Sequence, residues 1–409
     1  MKKLYTVCFL FALLAFVSCS PEEDDIFDKT AAERIAEVIE HDLSVLQGAK
    51  NGWVMEYYPS VTKMYGGYSI LVSFETDGTA KVSCDLYEAD KVTTSKYDVK
   101  QSTGPLLTFD TYNEIFHFFS EPSNALGIGE TGKGMEGDYE FLIVECTPEK
   151  VVLKGKKTGN SIVMTPIPES ETWNQYLGNI IDISRKAYLA LYDVNVGIET
   201  EYTVRQEYHT FILAHPDGSE ERIPFVYTTG GIKFYEPIAI GAQQVQDLKW
   251  NDEVNAYEHD NVAIKAKGEP EGYVKYDDFV GSYLLVYNNG NAAVKVTLVE
   301  EMFNSSFIMK GLPRDIHVVY KSDKGVVGIE TQVLGGSVML CPYSKSTGGY
   351  YSRTAGDGLI GENDSEDGQL VIYLVDNGVW GATDSLLALD VATKTPIFQV
   401  LYVVGMIKQ

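Results

Sequence analysis

The sequence predicts a mainly β protein of the α+β kind. It would have antiparallel sheets and hairpins, an N-terminal helix, one mid-chain helix, and a C-terminal small β-barrel or sandwich-like domain. Three observations carry this expectation. Apolar and polar residues alternate in run after run, as strands with one buried face require. Seven Asn-Gly or Asp-Gly pairs, at Asn51, Asp77, Asp217, Asn289, Asp357, Asp367 and Asn377, are spread along the chain. Such pairs suit the positive φ of tight hairpin turns, so antiparallel connections recur and a doubly wound parallel sheet is disfavoured. Only two stretches carry apolar residues at helical spacing.

The first stretch is 30–47. Thr30 and Glu33 have the spacing of a capping box, Ile35, Val38, Ile39, Leu43 and Leu46 follow on one face, and Gly48 suits the stop. Behind it, Ile70, Val72 and Phe74 alternate with Ser73 and Glu75, and Asp77-Gly78 turns into Ala80, Val82 and Cys84. Strands at 139–145 and 151–156 flank a turn containing Pro148, and a third follows at Ser161–Pro166. Residues 169–191, with Trp173, Leu177, Ile180, Ile181 and Tyr188, read as the second helix. Strands return at Thr210–Ala214, 222–227 and 231–235. The segment 268–272, with Gly268, Pro270 and Gly272, is the linker, and beyond it strands at Gly281–Tyr287 and 293–299 flank Asn289-Gly290. Acidic, Gly-rich 355–368 reads as a long mobile loop. The expected organisation is a body at 28–268, divisible into 28–168 and 169–268, and a C-terminal β domain at 273–409.

The N-terminus reads as an export signal. Lys2 and Lys3 precede an apolar run over 4–17 broken only by Tyr5 and Thr6, and small Ser18 precedes Cys19. The run is shorter than the roughly 20 residues a permanent transmembrane helix needs. Phe16-Val17-Ser18-Cys19 resembles the lipobox of bacterial lipoproteins, which implies cleavage after residue 18 and acylation of the Cys19 sulfur. Residues 19–27 would form an acidic tether to the membrane. Its run Glu22-Glu23-Asp24-Asp25 resembles the surface-export signal of Bacteroidota lipoproteins, implying the outer membrane and its exposed face.

Loss of residues 1–18 removes two lysines and no acid, taking the net charge from −25 to −27. Such an excess would repel phosphates and argues against nucleic acid as a partner. Cys84, Cys146 and Cys341 are left in the body, odd in number and without C-x-x-C spacing. Free thiols are expected, and no zinc cluster can be built from them.

A family resemblance rests on several segments in order. They are Gly52-Trp53 with Tyr57-Tyr58-Pro59, Gly66-Gly67-Tyr68, Phe74 with Asp77-Gly78, Gly104-Pro105 with Phe109-Asp110-Thr111-Tyr112-Asn113, His117-Phe118-Phe119-Ser120 with Pro122, Gly137-Asp138-Tyr139 with Phe141, and Leu153-Lys154-Gly155-Lys156-Lys157. Together these resemble the Bacteroidota surface lipoproteins grouped as domain of unknown function 4302 (DUF4302), over roughly residues 20–265. The resemblance brings no catalytic residues. It implies an accessory protein beside a TonB-dependent transporter and its capture lipoprotein, and hence a part in nutrient uptake.

Motifs for chemistry are few. The run from Gly127 to Gly134 satisfies G-x-G-x-x-G and approaches a P-loop, but Gly134 stands where Ser or Thr would hold magnesium. A strand rather than a helix is expected after it, so it reads as a loop. The six histidines form no metal motif, and His209 and His215 would lie some 20 Å apart along a strand. No G-x-S-x-G elbow is present. Asp357, Glu362, Asp364, Glu366 and Asp367 read as a solvated loop more readily than as a calcium site. Neither a metal nor a cofactor is expected.

Aromatic residues offer the best candidates for ligand contact, since tyrosine rings stack on sugars and flat molecules while the hydroxyl bonds them. Tyr350 and Tyr351, between Gly348-Gly349 and Arg353, lead; Trp53 and Tyr65 follow. The expected function is a non-catalytic binding or accessory component of a TonB-dependent uptake system, for a glycan or a metal-bearing small molecule. The alternatives are a surface scaffold for another protein and an extracellular hydrolase.

Overall fold

The alternating runs close on themselves three times. In the computed structural model, which describes residues 29–122, 128–129, 132–187, 191–269, 272–322, 324–366 and 368–409, the fold is mainly β and strictly antiparallel in its strand ladders. Cys19 and the export signal lie outside the described residues. The first barrel has eight strands: β1 (Trp53–Tyr57), β2 (Tyr68–Phe74), β3 (Thr79–Cys84), β4 (Thr93–Gln101), β5 (Pro105–Phe109), β6 (Glu140–Cys146), β7 (Val151–Gly155) and β8 (Ser161–Pro166). Each pairs with the next, and β1 closes on β8. The second repeats the plan with β9 (Leu191–Val196), β10 (Glu199–Glu207), β11 (Thr210–Ala214), β12 (Glu220–Thr228), β13 (Gly231–Ile240), β14 (Gln243–Asn251), β15 (Ala256–His259) and β16 (Val262–Ala266). Closure leaves no sheet edge, and eight strands enclose a space that side chains just fill.

The third barrel is interrupted. Its strands are β17 (Gly281–Tyr287), β18 (Ala292–Met302), β19 (Ser306–Lys310), β20 (Ile316–Lys321), β21 (Val326–Glu330), β25 (Gly358–Glu366), β26 (Gln369–Asp376) and β29 (Gly405–Lys408). The intervening β22 (Gln332–Gly335), β23 (Val338–Ser344), β24 (Tyr350–Tyr351), β27 (Ser385–Asp390) and β28 (Thr395–Val400) make a separate sheet. Leu340, Leu386, Ala388 and Val400 of that sheet join the core of the third barrel.

Helices fill the joints. Helix α1 (Ala31–Gly48) begins at Thr30, whose side chain and that of Glu33 form the reciprocal capping box. Its Leu46 carbonyl accepts the Trp53 indole N–H at 2.9 Å, fixing the helix to the first barrel. Helix α2 (Glu114–Ser120) puts Ile115, Phe116, Phe118 and Phe119 into that barrel's core, and the Asn113 side chain accepts the N–H groups of Ile115 and Phe116. Helix α3 (Trp173–Ala187) is a wedge. Leu177 packs with Val54 and Leu71 of the first barrel, while Ile180 enters the core of the second. A short turn of helix, α4 (Tyr276–Phe279), leads into the third barrel.

One expectation fails outright. Residues 355–368 contain β25, paired with β26 from Leu359↔Asp376 to Glu366↔Gln369. Acids and glycines hid the strand because its buried positions need no bulk. Leu359 is buried, and a Cβ on Gly361 would meet Ile372 Cγ2 at 2.8 Å. Asn363 spends its amide on the carbonyls of Gly272 and Gly325, at 2.9 and 2.6 Å.

Candidate functional site

The three barrels meet at their hairpin ends. Gly66 forms a bridge with His209, and the Gly67 N–H donates to the Phe225 carbonyl at 2.8 Å. The approach is so close that a Cβ on Gly66 would lie 1.9 Å from the His209 oxygen, and the Gly66 φ of +68° also favours glycine. Lys233 reaches across to Glu56 at 2.8 Å, and the rings of Tyr58 and Tyr235 meet edge to face at 4.8 Å. The third barrel is joined through its β18–β19 turn, where Met302 sits in the core of the first barrel. Arg185 of α3 binds Glu300 at 2.8 Å and lies over the Phe303 ring at 4.5 Å.

A cavity of about 350 Å³ opens at this junction. The first barrel supplies Tyr68, Asp85 and Leu86; the second supplies Glu207, Tyr208, His209 and Tyr227; the third supplies the 302–305 turn, Tyr320, Lys321 and Glu330. A second lobe of about 220 Å³ shares Asp85, Leu86, Ser184 and Phe303 with the first, so the two form one cleft. Its size is that of a small-molecule site.

The walls are aromatic. His209 tilts against Tyr68 at 4.5 Å and meets Tyr227 edge-on at 4.8 Å. Tyr208 occupies a left-handed backbone conformation, φ +51°, in the two-residue turn between β10 and β11. That costs a bulky residue about 1–3 kcal/mol, and such strain concentrates at functional sites. Tyr65 packs behind Tyr208 at 5.4 Å, and burial raises the Tyr208 phenol to about 12.

Two titratable groups are displaced by the same cause in opposite senses. Loss of hydration raises the Asp85 carboxyl from 3.8 to about 7, although the Ser69 N–H donates to it at 3.1 Å. It lowers the His209 imidazole from 6.5 to about 4. The ring Nδ1 of His209 contacts the Gly67 carbonyl, which puts the proton on Nδ1 and leaves Nε2 as an acceptor. Beside Asp85, the Cys84 thiol donates to its carboxylate at 3.3 Å and is itself pushed well above its usual range by burial. Cys84, Cys146 and Cys341 are all free thiols.

The residues singled out in the sequence fall elsewhere. Trp53 has no exposed surface: it fills the first barrel, and a ligand cannot reach it. Tyr65 is 4% exposed and supports the cleft wall from behind. Tyr350 and Tyr351 are 67% and 41% exposed on β24, apart from the cleft lining. Asp357 is buried and accepts from Ser352, whereas Glu362 and Asp364 are exposed. Among the described residues, no three His, Cys, Asp or Glu side chains gather as a metal site. The glycine-rich run near Gly129 leads into β6, without the helix that a phosphate loop requires. Asp85 and His209 carry no sequence motif; only Asp85's place at the end of an alternating strand hints at a turn.

The fold and cleft define a protein of three fused antiparallel barrels with a polar and aromatic cleft where they join. The family model described as domain of unknown function (DUF4302) matches residues 23–252, more than half of the chain, and the protein belongs to that family. A second model, also a domain of unknown function (DUF4987), matches residues 259–389, which carry most of the third barrel and its added sheet. No curated protein matches the chain.

Proposed function

We propose that the protein is a lipid-anchored, outer-membrane surface component that binds a small molecule for a TonB-dependent uptake system. The observation that carries the binding part is the junction cleft. Three separate barrels contribute rings and hydrogen-bonding groups to one concave space, and Tyr208, at a positive φ in its turn, is among its walls. The anchor rests on Cys19 and its preceding signal, and the uptake context on the family resemblance. Acid catalysis has one observation in its favour, the raised carboxyl of Asp85. The cleft's other acids speak against it, since Glu207 is held by Arg205 at 3.0 Å and Glu330 by Lys321 at 2.7 Å.

The test is affinity capture of the lipidated protein from its native membrane, followed by mass spectrometry of what copurifies. Recovery of a TonB-dependent transporter with its capture lipoprotein supports the uptake role. Their absence from intact, abundant preparations would refute stable membership of such a complex.

A further inference from the structure

We infer that the junction cleft binds an organic ammonium ion, with Asp85 as its counter-ion and the exposed ring of Tyr208 against its charge. This rests on the cleft being the binding site proposed above, and it names the ligand class. The first support is a mismatch of charge in the walls. Each basic side chain there is already engaged: Lys321 with Glu330 at 2.7 Å, Arg185 with Glu300 at 2.8 Å and Lys91 with Glu114 at 2.5 Å. The other acids are likewise engaged, Glu207 by Arg205 and Arg222, Glu301 by His317 and Glu88 by Arg185. Among the described residues Asp85 alone of the lining carboxyls has no basic side chain paired with it. A carboxylate that has lost much of its hydration and has no such partner is costly, and a bound cation offsets part of that cost.

The second support is the character of the remaining wall. Aromatic faces attract a cation, the more strongly where water is excluded. The junction already uses this contact twice, with Arg185 over Phe303 at 4.5 Å and Lys91 over Tyr87 at 3.7 Å. His209, neutral through loss of hydration, adds an acceptor at Nε2 and no repelling charge. The third support is a donor. Nδ2 of Asn304 is sealed from solvent and without a partner, at a turn held at φ +53° on the cleft wall. It fits an oxygen on the same ligand, as in an amino alcohol or an amino sugar. The chain's net charge of −25 would draw cations toward the protein.

The experiment is calorimetric titration of the folded chain with choline, with ethanolamine and with 3,3-dimethyl-1-butanol, the neutral carbon analogue of choline. The inference expects at least one of the two ammonium compounds to bind tenfold or more tightly than the neutral one. Asp85→Asn should abolish that preference, bringing the ammonium compounds down to the affinity of the neutral one. Circular dichroism would show that the variant keeps its fold, and Tyr350→Ala, outside the cleft, should bind as the parent does. Equal binding of charged and neutral compounds, with crystallographic density in the cleft, would overturn the cation preference but leave the cleft as the binding site. No binding by either ammonium compound, together with no cleft occupancy in a neutral-fragment screen, would overturn both.

Discussion

Asp85 and His209 share one cavity, and their opposite displacements make a quantitative prediction. The folded protein holds a proton on Asp85 that the unfolded chain has released between pH 3.8 and about 7. The stability associated with this group is therefore complete below pH 3.8 and is lost as pH rises toward 7. For His209 the unfolded chain holds the proton between pH 6.5 and about 4, so its contribution is complete above 6.5 and is lost as pH falls toward 4. Over the shared window the two slopes, each about 1.4 kcal/mol per pH unit, oppose one another. The pair should leave wild-type stability nearly flat there.

Asp85→Asn removes one slope and keeps the shape of the side chain. A displacement from 3.8 to about 7 corresponds to roughly 4 kcal/mol, reduced to about 2–4 because the cavity admits some water. The variant should gain that much relative to wild type between pH 4 and 7, on top of a constant offset for the altered hydrogen bond from Ser69. His209→Asn should show the reverse slope, gaining as pH falls from 6.5 to 4 by about 3 kcal/mol. Urea unfolding followed by tryptophan fluorescence at half-unit pH steps would measure both differences. Difference curves that stay level within about 0.5 kcal/mol would refute the desolvation of these groups.

Three further outcomes follow from the joints. Gly66→Ala should destabilise the union of the first two barrels by about 2–4 kcal/mol, because the new Cβ would strike the His209 carbonyl from a positive-φ position; thermal unfolding would record the loss. Arg185→Ala should cost about 1–2 kcal/mol, since it leaves half-buried Glu300 without its partner. Hydrogen exchange should then quicken in the β18–β19 turn more than elsewhere in the third barrel. Trp53→Ala should cost about 3–5 kcal/mol as a core cavity, whereas paired Tyr350→Ala and Tyr351→Ala changes should stay within about 1 kcal/mol by the same unfolding assay.

The limits of the sequence follow from which interactions are local. The capping box at Thr30 and Glu33 involves neighbours three residues apart, and the helix beginning at Ala31 was legible from it. Hairpins such as β2–β3 were legible for the same reason, since the pairing of Phe74 with Ala80 follows directly from the intervening Asp77-Gly78 turn. Closure of a barrel has no such signature. Pairing of Trp53 with Pro166 joins positions more than a hundred residues apart, and alternation reads the same in an open sheet. Helix α2 escaped because four of its seven residues are buried, which erases the amphipathic period; its one local signal is the Asn113 cap.

The same distinction explains why Trp53 and Tyr65 stood out in the sequence while the cleft went unseen. Trp53, Tyr57, Tyr58, Tyr65 and Tyr68 are close in sequence because β1, β2 and their connection are consecutive, and all five are buried. A barrel of eight strands has an interior to fill, and large rings fill it; their abundance therefore reports packing. Asp85, His209 and Phe303 lie in three different hairpins and meet only because α3, Gly66 and the Met302 plug bring the barrels together. Each alone is an ordinary turn residue. What distinguishes Asp85 and His209 is the hydration they lose in the folded protein. That loss raises one carboxyl and lowers one imidazole, and the carboxyl has no basic side chain beside it, so the assembly of barrels, rather than any strand within them, creates the site.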